Sequence, residues 1–221
     1  MMSISKETAE LLKTYFAAAA NLYAVISLRK LLEIYNSQNE PISEEDICEF
    51  ADSVDGNITH YYILSPQELY EDENKPEVKP IDRELLAEHL VIFDDRNEYE
   101  MIKARSREFE YYVPPKANFI KRADQFYIEK TPEFISVRAY LRNRPEFSRE
   151  KADEMAEEVQ FVLSAFNGDV TEAVEDAQRM GLKFKNDREY EDFYILCAES
   201  AYNTRFPIYR GHTRSELYGG K

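Results

Sequence analysis

Apolar residues in the C-terminal part of the chain recur every three or four positions, the spacing that places side chains on one face of a helix. This periodicity predicts three amphipathic helices, over residues 149–166, 169–180 and 187–201. Ser148, Asp169 and Asp187 stand at or just before the three starts, and all are residue types that favour helix N-caps. Because the connections are short, we expect neighbouring helices to lie side by side around one core.

A further helix is predicted upstream of these three, from Thr131 to Pro145. It places Arg138 and Arg142 one turn apart, so their side chains should project together. The favoured interpretation is ion pairing with acidic residues of the following helix, and the alternative is a site for an anion or an acidic ligand. The candidate pairing partners are Asp153, Glu154, Glu157 and Glu158.

The N-terminal region combines helical periodicity with short apolar runs that are typical of strands. In chain order we predict helix 6–20, strand 22–26, helix 28–36 with Ser27 as cap, a helix from the cap Ser43 to Asp55, and strand 60–64. One continuous helix through residues 22–26 is the alternative. The order helix, strand, helix, helix, strand is that of a winged-helix module, which is one interpretation of this region.

The chain between residues 70 and 95 is predicted to hold one more helix and one more strand. The acidic stretch 71–76 predicts a solvated connection. We predict a helix over 82–89 and then a strand over 90–93 that pairs with residues 61–64. For Asp94-Asp95 the favoured interpretation is a turn and cap, with a metal pair as the alternative.

In the winged-helix interpretation, the helix at the recognition position is strongly acidic. Its carboxylates are Glu44, Glu45, Asp46, Glu49, Asp52 and Asp55. Carboxylates repel the phosphate backbone of a duplex, so we expect this module to contact protein.

The net charge of −15 is unevenly distributed along the chain. Residues 1–102 carry 22 acidic and 8 basic side chains, residues 103–151 carry 7 and 12, and residues 152–221 carry 14 and 8. A nucleic-acid-binding protein needs a clustered cationic face, which only the middle segment offers. We expect that segment to pair internally with the acidic segments, so binding of nucleic acid is not expected.

The predicted fold class is mainly α (α+β), with a helical C-terminal bundle, a small antiparallel β element and a winged-helix-like interpretation of the N-terminal part. We predict an acidic N-terminal domain over residues 1–102 and a helical C-terminal domain over residues 103–221. A single continuous domain is the alternative.

Neither a membrane span nor a secretory signal is visible in the sequence. No apolar run reaches the roughly 18 to 20 residues that cross a bilayer, and the N-terminus lacks the basic, apolar and small-residue pattern of a signal peptide. We therefore expect a cytoplasmic protein without membrane association. Cys48 and Cys197 each fall in an apolar helical stripe, which predicts buried, reduced thiols.

The stronger catalytic and metal-binding signatures do not occur in the sequence. With six glycines there is little material for a phosphate-binding loop, and the nucleophile-elbow, zincin and zinc-finger patterns are absent. His60, His89 and His212 lie far apart in sequence. We therefore predict no catalytic residues, no metal and no cofactor, and the sequence favours a protein without enzymatic activity but does not decide this.

The tail after the last predicted helix is the best candidate for a binding site. The candidate residues, all able to donate hydrogen bonds, are Asn203, Arg205, Arg210 and His212. Converging donors could hold a carboxylate or a phosphate.

The favoured interpretation of this tail is structural. Thr213 and Glu216 have capping-box spacing, and Gly211 suits a left-handed turn. Asn203 and Arg205 would then bond the last carbonyl groups of the preceding helix.

Several short segments resemble a loosely defined family of uncharacterised proteins from Gram-positive bacteria and their phages, some of which carry a C-terminal SEC-C zinc motif. These segments are Tyr112-Val113-Pro114, residues 127–131, Asn203-Thr204-Arg205, residues 210–213 and Glu216-Leu217. The resemblance covers residues 110–217. It departs where similar proteins have Trp and Pro, because Phe206-Pro207 and Arg214 stand there, and the zinc motif itself is absent. The resemblance implies architecture and no activity.

Three functions follow as hypotheses. The first is a non-catalytic interaction or adaptor scaffold whose acidic N-terminal half binds a basic protein partner. The second is a transcription regulator that uses the winged-helix-like part, and the third is a sensor or enzyme that binds an anion or small metabolite at the 203–213 loop.

Overall fold

The computed structural model describes residues 4–93, 96–165 and 167–219, apart from the side chain of Asn57. Contacts within the chain divide it into two compact units. Unit 1 comprises Met1–Tyr127 and Pro207–Gly211, and unit 2 comprises Ile128–Phe206 and His212–Lys221.

Unit 1 begins with helices and short strands in alternation. The helices are α1 (Lys6–Tyr23), α2 (Leu28–Gln38), α3 (Glu44–Asp52), α4 (Gly56–Thr59), α5 (Pro66–Tyr70), α6 (Glu88–Ile92), α7 (Arg96–Ser106) and α8 (Lys116–Phe119). The strands are β1 (Val25–Ser27), β2 (Tyr61–Leu64) and β3 (Glu84–Ala87), and Pro80–Asp82, Ile120–Ala123 and Pro207–Tyr209 are short 3-10 turns. Serine side chains start the helices: Ser5, Ser27, Ser43 and Ser65 accept hydrogen bonds from first-turn amides of α1, α2, α3 and α5.

The three strands form an antiparallel sheet in the order β1-β3-β2. Leu86 of β3 pairs with Val25 on one side and with Tyr62 on the other, so the last strand in sequence is the central one. The order α1, β1, α2, α3, β2 contains the predicted order helix, strand, helix, helix, strand, and the winged-helix interpretation of it stays a prediction. Helix α4 is an additional single turn between α3 and β2, and α5 lies in the connection from β2 to β3.

Two boundaries near the N-terminus differ from prediction. Helix α1 ends at Tyr23 and not at residue 20, and β1 covers Val25–Ser27 in place of the strand predicted over 22–26. Asn21, within α1, donates a hydrogen bond to the carbonyl oxygen of Arg122 at 2.8 Å. Ala24 adopts a left-handed φ of 56° between α1 and β1, so the alternative of one continuous helix is wrong. Ser27 and Ser43 cap α2 and α3 as predicted.

The segment after residue 80 also differs from prediction. Residues predicted as a helix over 82–89 include β3, and the predicted strand over 90–93 falls largely in α6, so both assignments are wrong. Glu, Leu and Ala favour helix in isolation. Leu85 and Leu86 are fully buried and paired with strands on both sides, and this tertiary pairing outweighs the local preference.

Aromatic rings fill the core of unit 1. Tyr15 packs edge-on against Tyr35 with ring centroids 5.0 Å apart, and Phe16 does the same with Phe50 at 5.0 Å. Each fully buried side chain of this size stabilises the fold by about 1.5–3 kcal/mol relative to exposure. The buried alanines Ala18, Ala19 and Ala20 allow other segments to approach α1 closely.

Unit 2 is a bundle of helices, as the apolar periodicity predicts. Its helices are α9 (Pro132–Arg142), α10 (Arg149–Ala165), α11 (Val170–Arg179), α12 (Asp187–Tyr202) and α13 (Arg214–Tyr218). Thr131 caps α9 and Asp169 caps α11, as predicted, whereas the cap of α12 is Asn186 and not Asp187. The Asn186 side chain accepts a hydrogen bond from the amide of Glu189 at 3.0 Å, as an N-cap does. The cap of α12 therefore lies one residue earlier than predicted, and Asp187 is the first residue of the helix.

The long helices of unit 2 share one core, which confirms the predicted side-by-side packing. Phe134 of α9, Met155 of α10, Ala177 of α11 and Phe193 of α12 are all buried in it. Together the two units give a mainly α fold with a small antiparallel sheet. Within the described ranges, every helix lacks the length or the apolar character needed to cross a membrane.

The predicted boundary between residues 102 and 103 falls within α7. The independent folding of residues 1–102 stays a prediction.

Candidate functional site

Helix α3, which the winged-helix interpretation places at the recognition position, has two chemically distinct faces. Ile47, Phe50 and Ala51 are buried in the core of unit 1. The exposed residues of α3 are Glu44, Glu45, Glu49 and Asp52, and all four are carboxylates. We call these four residues the acidic face of α3.

The carboxylates in the first turn of α3 have a structural explanation. Ser43 accepts a hydrogen bond from the amide of Asp46 at 3.1 Å, and Asp46 accepts one from the amide of Ser43 at 2.9 Å, which forms a capping box. Negative charge at this end also interacts favourably with the helix dipole. Helix stability alone therefore accounts for acidic residues at positions 44 to 46.

Helix stability does not account for the acidic residues at the other end of α3. Glu49 and Asp52 lie toward the C-terminus, where a negative charge opposes the helix dipole, and the last turn contains no basic residue. Asp52 is offset by an ion pair with Arg83 at 2.7 Å. The acidic face therefore extends farther along the helix than capping requires.

Two arginines border the acidic face. Arg29 lies between Glu44, at 2.9 Å, and Asp82, at 2.8 Å, and its hydrogen bond holds the pKa of Asp82 below the ordinary value. Partly exposed pairs of this kind contribute at most about 1 kcal/mol each. They neutralise the edge of the acidic face and leave the face as a whole negative.

In the C-terminal tail, Arg205 is held by carboxylates of unit 2. Its side chain is only 10% exposed, and Nε donates to Glu129 at 3.0 Å. The two terminal nitrogens donate to Glu216 at 2.8 and 2.9 Å, a bidentate arrangement. The Nδ1 atom of His212 lies 3.5 Å from the same carboxylate.

The pKa of Glu216 reflects two opposed effects. Burial alone would raise it, but the hydrogen bonds from Arg205 and from the amide of Thr213 outweigh burial and hold the pKa below the ordinary value. Glu216 thus stays ionised near neutral pH, and its carboxylate links Arg205 to the start of α13 at Thr213. Thr213 and Glu216 form the predicted capping box of α13, and Gly211 has the predicted left-handed backbone, with φ of 80°.

The other two candidate donors of the tail have different roles. Asn203 donates to the carbonyl oxygen of Glu199 at 3.0 Å, so it satisfies the end of α12 as the structural interpretation predicts. Arg210 belongs to unit 1, where its guanidinium lies 4.5 Å from the centroid of the Tyr111 ring and donates to the carbonyl oxygen of Phe109 at 2.7 Å.

The tail therefore brings Arg205 and His212 together on one carboxylate, and an anion at Arg205 would have to compete with Glu129 and Glu216. Anion binding at the 203–213 loop stays a prediction. The sequence analysis missed Glu129 as a partner of Arg205, because 76 residues separate them and no local pattern links the two.

Arg142 of α9 pairs with Asp153 of α10, which confirms internal pairing for this residue. Nε and a terminal nitrogen of Arg142 each lie 2.5 Å from an oxygen of Asp153, and these bonds lower the pKa of that carboxylate. The guanidinium of Arg138 lies 5.6 Å from the centroid of the Phe134 ring. The structure gives Arg142 an internal role, and ligand binding by either arginine stays a prediction.

Cysteine and histidine chemistry is limited in the described part of the chain. Cys48 is half-buried, Cys197 is fully buried, and both are free thiols. Burial raises the pKa of Cys197 to about 12, which keeps it protonated and unreactive. In residues 4–93, 96–165 and 167–219, no group of three or more His, Cys, Asp or Glu side chains is arranged to hold a metal ion. Asp94-Asp95 lies outside the described residues.

Comparisons of the chain with protein-family models, with curated proteins and with solved structures gave no match. The resemblance to uncharacterised proteins of Gram-positive bacteria and their phages therefore stays a prediction.

Proposed function

We propose that the protein is a non-catalytic interaction scaffold that binds a basic protein partner through the acidic face of α3. The observation that carries this proposal is that every exposed residue of α3 is acidic, including two at the end where the helix dipole disfavours negative charge. A basic partner would meet complementary charge along this face. Complementary charge of this kind mainly raises the association rate and selects the partner.

A DNA-binding transcription regulator is the alternative that the winged-helix order supports. Such a protein would present its recognition helix to the phosphate backbone, where Lys and Arg are needed. The acidic face of α3 carries none, so the topology favours the regulator and the charge opposes it. We also propose that the protein acts in the cytoplasm, where its free thiols would stay reduced.

The proposal can be tested with a defined basic probe, a labelled peptide rich in Lys and Arg. We expect binding at low salt that weakens as salt is added. The double variant Glu45→Lys with Glu49→Lys should bind about tenfold more weakly at low salt, because two exposed charge contacts become repulsive at up to about 1 kcal/mol each. Fluorescence anisotropy measures both affinities.

A charge-matched control separates a specific face from net charge. Glu157 and Glu158 are exposed on α10 in unit 2, and reversing both changes the net charge by the same amount. We expect this control to keep the affinity of the unaltered protein. Equal weakening in both double variants would reject the proposal, and salt-dependent binding of a labelled duplex in place of the peptide would favour the regulator.

A further inference from the structure

Unit 1 contains an open cleft with a volume of about 240 Å³ beside α1. Ala17, Ala20 and Asn21 of α1 form one part of its lining, and the segments 59–61 and 123–126 form the rest. The described residues that line this cleft include no member of the acidic face of α3. A volume below the range of about 300–1,000 Å³ typical of small-molecule pockets suits a single side-chain-sized group.

Phe126 is the most unusual residue of the lining. Its side chain is 71% exposed, so the ring gains little from burial where it stands. The amide of Phe126 donates to Oδ1 of Asp124 at 2.9 Å, which fixes the turn that carries both side chains. The turn thus presents an aromatic face and a carboxylate two residues apart at one cleft.

The lining also contains the His60 ring and the Tyr61 phenol. His60 has a left-handed φ of 59°, and its Nδ1 lies 2.9 Å from the carboxylate of Glu88. The phenol of Tyr61 is 1% exposed and its oxygen is buried without a hydrogen-bond partner. Of the residues described as lining the cleft, Asp124 is the one carboxylate, and neither Lys nor Arg is present.

These features select the charge and shape of a ligand. Anions are disfavoured, because none of the described lining residues is Lys or Arg and Asp124 contributes a negative charge. A planar cation fits better, since it can lie against the Phe126 ring while donating two parallel hydrogen bonds to Asp124. An ammonium group lacks the planar fork that makes both contacts at once. The alanines offer an apolar surface to a methylene stem.

We propose that this cleft binds a guanidinium group. The group could belong to an arginine side chain of a protein or to a free guanidinium compound, since the recognition chemistry is the same. The site stands on its own lining and does not require the function proposed for α3.

The test is an NMR titration of the full-length protein with agmatine, which carries a guanidinium on a short alkyl stem. We expect saturable shifts of the backbone amides of His60, Tyr61, Gln125 and Phe126. The diamine 1,5-diaminopentane should bind at least about fivefold more weakly, because it lacks the planar fork. The blocked peptide acetyl-Gly-Arg-Gly-amide decides the source: binding comparable to agmatine favours a protein arginine, and much weaker binding favours a free compound.

Two variants and two matched controls locate the site. Phe126→Ala should weaken agmatine binding about fivefold through the lost ring contact, and Asp124→Asn about tenfold, while the Asn oxygen still accepts the Phe126 amide. Phe93→Ala removes an exposed ring that is not described in the lining, and Glu45→Gln removes a charge from α3. Both controls should leave the affinity unchanged.

Absence of saturable shifts at those four amides, or unchanged affinity in both Phe126→Ala and Asp124→Asn, would overturn this proposal. The Glu45→Lys, Glu49→Lys variant should titrate with agmatine like the unaltered protein. If the basic peptide fails to bind while agmatine still binds, the function proposed for α3 is rejected and the guanidinium site is retained.

Discussion

At the scale of single residues, Arg205 joins segments of unit 2 that are distant in sequence. It bonds Glu129 before α9 and Glu216 in α13, and its own side chain is almost fully buried. The type of residue was recognisable from the sequence, but its partners were not. Hydrogen-bonding potential is a property of the side chain, whereas the identity of the partner depends on how the chain folds back on itself.

Replacing Arg205 should destabilise unit 2 measurably. We expect Arg205→Ala to lower the free energy of unfolding by about 2 kcal/mol, because charge-assisted bonds are lost and two carboxylates no longer contact the guanidinium. Arg205→Lys should recover about half of that loss, since it keeps the charge but not the bidentate fork. Urea unfolding measures these values.

Lys151→Ala is the control for Arg205. It removes an exposed pair with Glu154 and should cost less than about 0.5 kcal/mol. A loss in Arg205→Ala no larger than in this control would contradict the structural role of Arg205.

The lowered pKa of Glu216 predicts a pH dependence of stability. A carboxylate whose folded pKa lies below its unfolded value stabilises the fold above the unfolded value of about 4.3, and this contribution is lost as the pH falls through the folded pKa. Glu216→Gln keeps the capping-box geometry but removes the charge. The variant should be less stable at neutral pH and should lose less stability on acidification, measured as urea midpoints.

Glu158→Gln, an exposed position on α10, should by contrast follow the pH profile of the unaltered protein. Parallel profiles for Glu216→Gln and the unaltered protein would show that Glu216 does not contribute to acid sensitivity.

At the scale of elements, local signals predicted long helices well and short elements poorly. The periodic stripes of α9 to α12 each extend over several turns, so one misplaced residue does not hide them. Strand β3 has four residues, which is too short for periodicity to distinguish a strand from a helix. Its identity depends on pairing with β2, which lies 20 to 26 residues earlier in the sequence, and with β1, which lies 57 to 61 residues earlier. These pairings form only when the chain folds.

The glycine turn before α13 gives a prediction at the same scale. Gly211 has a φ of 80°, and an added Cβ would lie 3.0 Å from a ring carbon of buried Tyr23. Gly181, with a φ of 112°, has open space around the same position. Gly181→Ala should cost about 1–2 kcal/mol for backbone strain alone, and Gly211→Ala should cost more because a close contact is added.

Urea unfolding of both variants measures this difference. Ala156→Gly, at a buried position in the middle of α10, serves as a reference for the effect of a glycine without positive φ. If Gly211→Ala were no more destabilising than Gly181→Ala, the close packing at Gly211 would be wrong.

At the scale of the whole molecule, each compact unit contains one cysteine, Cys48 in unit 1 and Cys197 in unit 2. Burial raises the pKa of both thiols, and it is the dominant cause for each. We expect a thiol reagent at mildly alkaline pH to label half-buried Cys48 at least about tenfold faster than Cys197. Labelling of Cys197 should proceed only as unit 2 opens.

Mass spectrometry of labelled peptides distinguishes the two sites, and the variant Cys48→Ser isolates the signal of Cys197. Rapid labelling of Cys197 in the native protein would contradict its burial. Since each thiol reports on its own unit, a denaturant series would also show whether the units open together.

The composition of unit 1 has a consequence for synthesis. Residues 207–211 belong to that unit, and Ile208 is buried within it, yet they are translated after nearly all of unit 2. When the first 127 residues have emerged from the ribosome, residues 207–211 of the same unit have not yet been synthesised. The N-terminal unit therefore stays incomplete until residues 128–206 and then residues 207–211 have emerged.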